Sequence, residues 1–183
     1  MSLNVKPITK DLKEINNVYE LFRNSFPVNE QIPMWFLWWK SKKDFIDFIA
    51  FYDEDVFVGF TYLITNKNLT FVLYLAIDSE IRSKGYGGRL LSNIKKQYPH
   101  NRIILNIEAV EEAAINYEQR LKRKNFYMRN GYSKTSFNLF EYGQSYEVLV
   151  NGSEVSTEEY RDLFKRFTGP VLSLFFKPKF YFT

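Results

Sequence analysis

The stretch Thr70–Tyr98 reads TFVLYLAIDSEIRSKGYGGRLLSNIKKQY. An apolar run rich in aromatic and β-branched residues is followed by a short polar bend, a glycine-dense turn and a segment with helical spacing, which together give strand, loop, helix. On the helix, Gly87, Leu90, Leu91, Ile94 and Tyr98 fall on one buried stripe. The turn Arg82-Ser83-Lys84-Gly85-Tyr86-Gly87-Gly88 joins the strand's carboxyl end to the helix's amino end. Backbone N–H groups there lack intrahelical partners and sit at the positive end of the helix dipole, so the turn is a seat for a phosphate. Gly85 removes the Cβ that would block close approach of an anion. A glycine-softened turn without a ligand is the alternative.

Two other phosphate loops are excluded. No string in the chain has two glycines four residues apart followed by Lys and Ser or Thr, and the third glycine of a dinucleotide-binding turn is replaced by Leu91.

The chain has 183 residues, enough for one domain (1–183) with a substantial core. Aromatic residues make up 19%, which favours a packed interior over disorder. Cysteine is absent, so disulfides, thiolate metal sites and cysteine nucleophiles are excluded, in agreement with a cytoplasmic setting. His100 is the only histidine, which excludes multi-histidine sites, and no metal is expected. The amino terminus is polar and no apolar run approaches the roughly 20 residues that cross a bilayer, so no membrane partner is expected. A net charge of +4 attracts polyanions, nucleic acid among them.

In chain order, Leu3–Ile8 reads as an edge strand, with Pro7 tolerable only there. A helix capped by Thr9 is expected over about Asp11–Phe22, and a second, opened by Pro33, over Met34–Lys40. The second carries Trp35, Trp38 and Trp39, either as two core residues and one surface residue or as a wall of an acceptor pocket. Strands Phe45–Tyr52, Val56–Ile64 and Leu69–Ile77 form an antiparallel meander, and the crossover to a fifth strand, Arg102–Ile107, makes it parallel to the fourth. A helix over about Ala113–Asn130 stops at Gly131, with an apolar line Ala114, Tyr117, Leu121, Met128 and a second face Arg120, Arg123, Lys124, Tyr127. Strands Ser133–Glu141 and Gln144–Val150 follow, then a capping box, Ser156-x-x-Glu159, that starts a helix to about Phe167. The aromatic tail from Pro170 is expected to dock on its own domain, so that about 153–183 packs against the rest. The class is α/β (α+β): a mixed, mostly antiparallel sheet with a parallel fourth and fifth strand and helices on both faces.

Arg82-x-x-Gly85-x-Gly87 after a strand resembles the acyl-CoA pyrophosphate loop of the GNAT superfamily of N-acetyltransferases. Phe126-Tyr127-x-x-x-Gly131-Tyr132 is similar to the end of the corresponding later helix in that superfamily, and the two motifs occur in the family's order with one strand between them. The resemblance implies acetyl-CoA as co-substrate, with the pyrophosphate on Arg82, Ser83, Lys84, Gly85, Tyr86, Gly87 and Gly88. It also implies that the pantetheine arm pairs with the backbone of Leu75, Ala76 and Ile77 where the fourth and fifth strands splay apart. Many members carry Asn and Ala at the spacings held here by Arg120 and Arg123.

Transfer to an amine needs a proton for the departing thiolate. Tyr127 suits this role, because a phenol with pKa near 10 keeps its proton at neutral pH. A half-buried helix-end aromatic is the other reading of that residue. Arg123, one turn earlier, would stabilise the thiolate or hold an acidic group of the acceptor. Glu108 is the first candidate base, with a solvated surface carboxylate as its alternative. The function implied is acetyl transfer from acetyl-CoA to a primary amine, small-molecule or peptide, by direct attack in a ternary complex. An acyl-CoA-binding module without turnover and a nucleic-acid-binding domain using Arg120–Lys124 are the alternatives. A homodimer is left open.

Overall fold

The computed structural model describes residues 3–81, 84–141, 143–170 and 178–182. Its elements are β1 (Asn4–Pro7), α1 (Ile15–Ser25), α2 (Met34–Lys40), β2 (Ile46–Asp53), β3 (Val56–Asn66), β4 (Leu69–Ile77), α3 (Tyr86–Gln97), β5 (Arg102–Glu108), α4 (Tyr117–Arg129), β6 (Ser133–Glu141), β7 (Gln144–Asn151), α5 (Thr157–Thr168) and β8 (Lys179–Phe182). Hydrogen-bonded strand neighbours follow the order β1-β2-β3-β4-β5-β7-β6-β8. The β4–β5 pair is parallel, with Leu69, Thr70 and Phe71 opposite Arg102, Ile103 and Ile104, while β1–β2, β2–β3, β5–β7, β6–β7 and β6–β8 are antiparallel. The mixed sheet expected from the sequence is therefore present. By packing, the chain divides into two compact units, Met1–Ile64 with Val72–Pro99 and Thr65–Phe71 with His100–Thr183.

In the first unit β1 lies at the sheet edge, where Pro7 faces Ile49 without disturbing the ladder. Successive residues of β2 point to opposite faces. On one face Phe48 meets Trp38, ring centroids 5.5 Å apart, and the Tyr52 hydroxyl donates to Glu14 Oε2 at 3.1 Å, so α2 and the start of α1 lie there. On the other face Asp47 accepts from the Tyr98 hydroxyl and Asp53 accepts from Tyr86 and Arg89, which places α3 there. Helix α3 buries Leu90, Leu91 and Ile94, each contributing about 1.5–3 kcal/mol. Between β3 and β4 the backbones approach closely at Gly59, where a Cβ would stand 2.1 Å from the Ala76 carbonyl oxygen.

The start of α1 differs from the sequence expectation. Helix α1 begins at Ile15, not Asp11, and Thr9 does not cap it with its side chain. Instead the Leu12 N–H donates to the Thr9 carbonyl (3.1 Å) and the Ile15 N–H to the Leu12 carbonyl (3.0 Å), so two tight turns precede the helix.

In the second unit β5, β7, β6 and β8 are neighbours. Asn106 donates to the Tyr160 hydroxyl of α5 at 2.7 Å, while Lys124 of α4 reaches Glu147, whose register partner is Ile107. Because residues 106 and 107 alternate, α5 and α4 cover opposite faces. The capping box of α5 is formed: the Glu159 N–H donates to Ser156 Oγ (3.2 Å) and the Ser156 N–H to Glu159 Oε2 (3.0 Å). Gly131, at φ 82°, ends α4 and its N–H donates to the Met128 carbonyl at 3.1 Å.

Here too the sequence expectation needs correction. Helix α4 starts at Tyr117, because the turns Glu111–Ala114 and Ala114–Tyr117 each close with a 3.0 Å backbone bond. Its expected apolar line fails at Met128, which is 43% exposed, whereas Arg120 is only 9% exposed. Strand β8 was not anticipated: Phe180 faces Leu139 on the outer edge of β6 and its ring lies 5.3 Å from that of Phe137. The rest of the expected tail, 171–177, lies outside the described residues.

Candidate active site

The first group of candidate residues belongs to the first unit. Gly85 has φ 78° and ψ 4°, the left-handed conformation that L side chains avoid, and a Cβ built there would meet nothing within 4 Å among the described residues. No side chain caps α3, and its first backbone bond runs from the Arg89 N–H to the Gly85 carbonyl (3.2 Å). The N–H groups of Tyr86, Gly87 and Gly88 thus have no partner within the helix. Among the described residues, the space beside Gly85, amides without partners inside the helix and the dipole end together form a cradle that fits a phosphate. Arg82 and Ser83 lie outside the described residues; Lys84 is exposed.

A clamp that sequence reasoning missed ties this cradle to the β2–β3 turn. Arg89 Nη1 and Nη2 donate to Asp53 Oδ2 and Oδ1 at 3.1 and 3.0 Å, and the Tyr86 hydroxyl donates to Asp53 Oδ2 at 2.8 Å. The Arg89 hydrogen bonds, followed by that of Tyr86, hold the Asp53 carboxyl down at about 2. Only the three-residue spacing of Tyr86 and Arg89 hinted at a shared partner.

At the end of β4, the Tyr74 carbonyl accepts from Thr61 Oγ1 of β3, the Ala76 carbonyl faces Gly59 of β3, and the Asp78 N–H donates to the Val58 carbonyl. Peptide groups alternate along a strand, so those of Leu75 and Ile77 face the other edge of β4.

The second group belongs to the second unit. Glu108, at the end of β5, pairs with Arg120 (Oε1–Nη2, 3.1 Å) and Arg123 (Oε2–Nη1, 3.2 Å). Arg120 also donates to the Ala109 carbonyl (2.9 Å) and to Asn116 Oδ1 (2.7 Å), which satisfies a guanidinium inside the fold. Tyr127 is half-buried among Phe126 and Tyr132, with ring centroids at 5.2 and 5.7 Å. Burial raises its pKa and Arg123 partly opposes the rise, so the phenol holds its proton at neutral pH. Lys124 pairs with Glu147 at 2.7 Å. With Arg120, Arg123 and Lys124 all ion-paired, the basic run presents less charge than its sequence suggests.

Glu141, which the sequence did not single out, is pushed up to about 7 by burial. A raised carboxyl binds more protons folded than unfolded between about 4.5 and 7, so stability falls as pH rises through that range. In Glu141→Gln this part of the decline is expected to disappear, which thermal melts at a series of pH values will show. The same unit contains Asn106, whose buried Oδ1 has no hydrogen-bond partner among the described residues.

Of the three tryptophans, Trp38 is half-buried and donates through Nε1 to the Tyr19 hydroxyl (3.1 Å), while Trp35 and Trp39 are 70% and 51% exposed. The expectation of two core residues and one at the surface is thereby reversed. His100 is exposed. Among the described residues no helix is long and apolar enough to cross a membrane.

A model of the acetyltransferase (GNAT) family matches residues 15–132. Among solved structures, a GNAT-family protein from Bacteroides thetaiotaomicron aligns with a TM-score of 0.73 at 22% identity, covering 93% of this chain and 98% of that one. An aminoglycoside 6′-N-acetyltransferase complexed with coenzyme A aligns at 0.61 and 14% identity, covering 80% and 95%. Spermidine N-acetyltransferase from Vibrio cholerae, in complex with CoA and spermine, aligns at 0.61 and 13%, covering 81% and 94%. No curated protein matches in sequence. At these identities the structural matches establish the fold.

Proposed function

The chain belongs to the acetyltransferase (GNAT) family, and from this premise we propose that it moves the acetyl group of acetyl-CoA to a primary amine by direct attack in a ternary complex. The observation that carries the reading is the uncapped amino end of α3 at Gly85, a ready seat for the CoA pyrophosphate. Lys84 adds charge beside it, and the motif's Arg82, outside the described residues, is proposed as a second cation for the same group. The outward peptide groups of Leu75 and Ile77 supply a strand edge for the pantetheine amides, with Ala76 between them.

In the proposed step the neutral amine attacks the thioester carbonyl, the C–N bond forms, the C–S bond breaks, and the thiolate takes a proton from the Tyr127 hydroxyl. A phenol raised by burial supplies this proton at neutral pH. Arg123 sits one turn before Tyr127 and supplies positive charge for the sulfur. Glu108, which pairs with Arg120 and Arg123, is the proposed base, acting through water. The substrates for which the similar enzymes are named, an aminoglycoside and spermidine, support an amine acceptor.

Incubating the protein with acetyl-CoA and a panel of amines, including aminoglycosides, polyamines and peptides, tests the proposal through free-thiol release. Amine-dependent release is expected with at least one class. Binding of acetyl-CoA without release across the panel would favour the non-transferring acyl-CoA module.

A further inference from the structure

We propose that the cavity walled by Trp35, Trp38 and Trp39 is a second binding site, for a small anion with a flat apolar body, separate from the phosphate cradle. The cavity measures about 670 Å³, the size of a small-ligand pocket, is open to solvent on one side, and is also lined by Pro7–Lys10, Ser41, Lys42 and Ile46–Ile49. Its walls are mostly aromatic and aliphatic, and Trp35 and Trp39 remain 70% and 51% exposed. Two exposed indoles beside a concave surface cost hydration that a planar ligand would relieve.

The sign of the ligand's charge follows from the titratable groups around the cavity. Lys10 and Lys42 line it, both are exposed, and neither forms an ion pair among the described residues. The one acidic residue in the lining, Asp47, has its carboxyl hydrogen-bonded by the Tyr98 hydroxyl on the α3 side of β2. The Lys40 ammonium already lies over the Trp39 ring, 4.6 Å from its centroid. An aromatic cage whose ring and rim already carry the protein's own cations disfavours a cationic guest and favours an anionic one.

Position separates the cavity from the cradle. The lining residues Ile46–Ile49 are four to seven residues along β2 from Asp53, where Tyr86 and Arg89 attach, a run of roughly 13–23 Å. The cradle's helix also lies on the opposite face of β2 from Trp38. The site is therefore distinct from the phosphate cradle.

Titrating the full chain with 8-anilinonaphthalene-1-sulfonate, followed by fluorescence, tests the proposal. A single saturable site is expected, weakened about tenfold or more in Trp39→Ala and about fivefold in Lys10→Ala/Lys42→Ala, with melting temperatures showing that both variants fold. Saturating CoA is expected to leave the titration unchanged, and uncharged N-phenyl-1-naphthylamine to bind more weakly than the sulfonate. Non-saturable binding, indifference to the lysines, or equal affinity for the uncharged probe would overturn the proposal. So would displacement by CoA, which would assign the cavity to the donor site. Loss of probe binding on self-association at higher protein concentration would instead make this face a contact between copies.

Discussion

Replacing Tyr127 with Phe is expected to lower kcat for acetyl transfer by about 10²–10³-fold while acetyl-CoA affinity stays within about twofold. The substitution removes one oxygen and keeps the ring that packs against Phe126 and Tyr132. Its effect on the fold should be small, because burial is a cost for the hydroxyl and the apolar edge of Phe suits the same place. An interaction used only as the C–S bond breaks lowers kcat and kcat/KM together, whereas a merely structural role would move the melting temperature and leave kcat near its starting value. Stopped assays of thiol release, with thermal melts in parallel, separate the two. An unchanged kcat would remove Tyr127 from the proposed mechanism.

Gly59→Ala is expected to produce the largest loss of stability of any single methyl addition considered, about 3 kcal/mol or more. The added Cβ would stand 2.1 Å from the Ala76 carbonyl oxygen and 3.0 Å from Ile77 Cα, both backbone atoms that move only if β3 and β4 part. For a chain of this length that corresponds to a melting temperature lower by roughly 6–12 °C. Gly85→Ala supplies the contrast. Among the described residues nothing lies within 4 Å of its Cβ, so the left-handed backbone is what resists it, at about 1–2 kcal/mol. A fall of less than a few degrees in Gly59→Ala would show that the two strands yield more easily than their packing implies.

Much of the fold was legible in local pattern. The bounds of β4 and α2 agree with the residues read from strand composition and from Pro33, and the capping box at Ser156 and the stop at Gly131 are local chemistry with local causes. The starts of α1 and α4 were not legible, because the turns before Ile15 and Tyr117 are decided by backbone hydrogen bonds that residue propensity does not reveal. The burial of Arg120 was hidden for a related reason: a charged residue looks like surface until a distant carbonyl, that of Ala109, and a carboxylate, Glu108, are brought to it. The Asp53–Tyr86–Arg89 clamp joins residues 33 and 36 positions apart, beyond any periodicity. Strand β8 pairs with β6 some 40 residues earlier in the chain, and its aromatic composition signalled burial without signalling a partner. Among the candidate site residues, the glycine turn and the paired Tyr127–Gly131 spacing were readable as motifs. The proton affinity of Glu141 was not, since it comes from burial alone.

The central claim is that main-chain amides at the start of α3 receive the diphosphate of CoA. Titrating CoA into ¹⁵N-labelled protein and following the amide resonances tests it most directly. Saturable shifts that are largest at Lys84, Gly85, Tyr86, Gly87 and Gly88, accompanied by shifts at Leu75 and Ile77, are expected. Saturable binding that leaves those amides unmoved, or no binding at millimolar CoA, would contradict it.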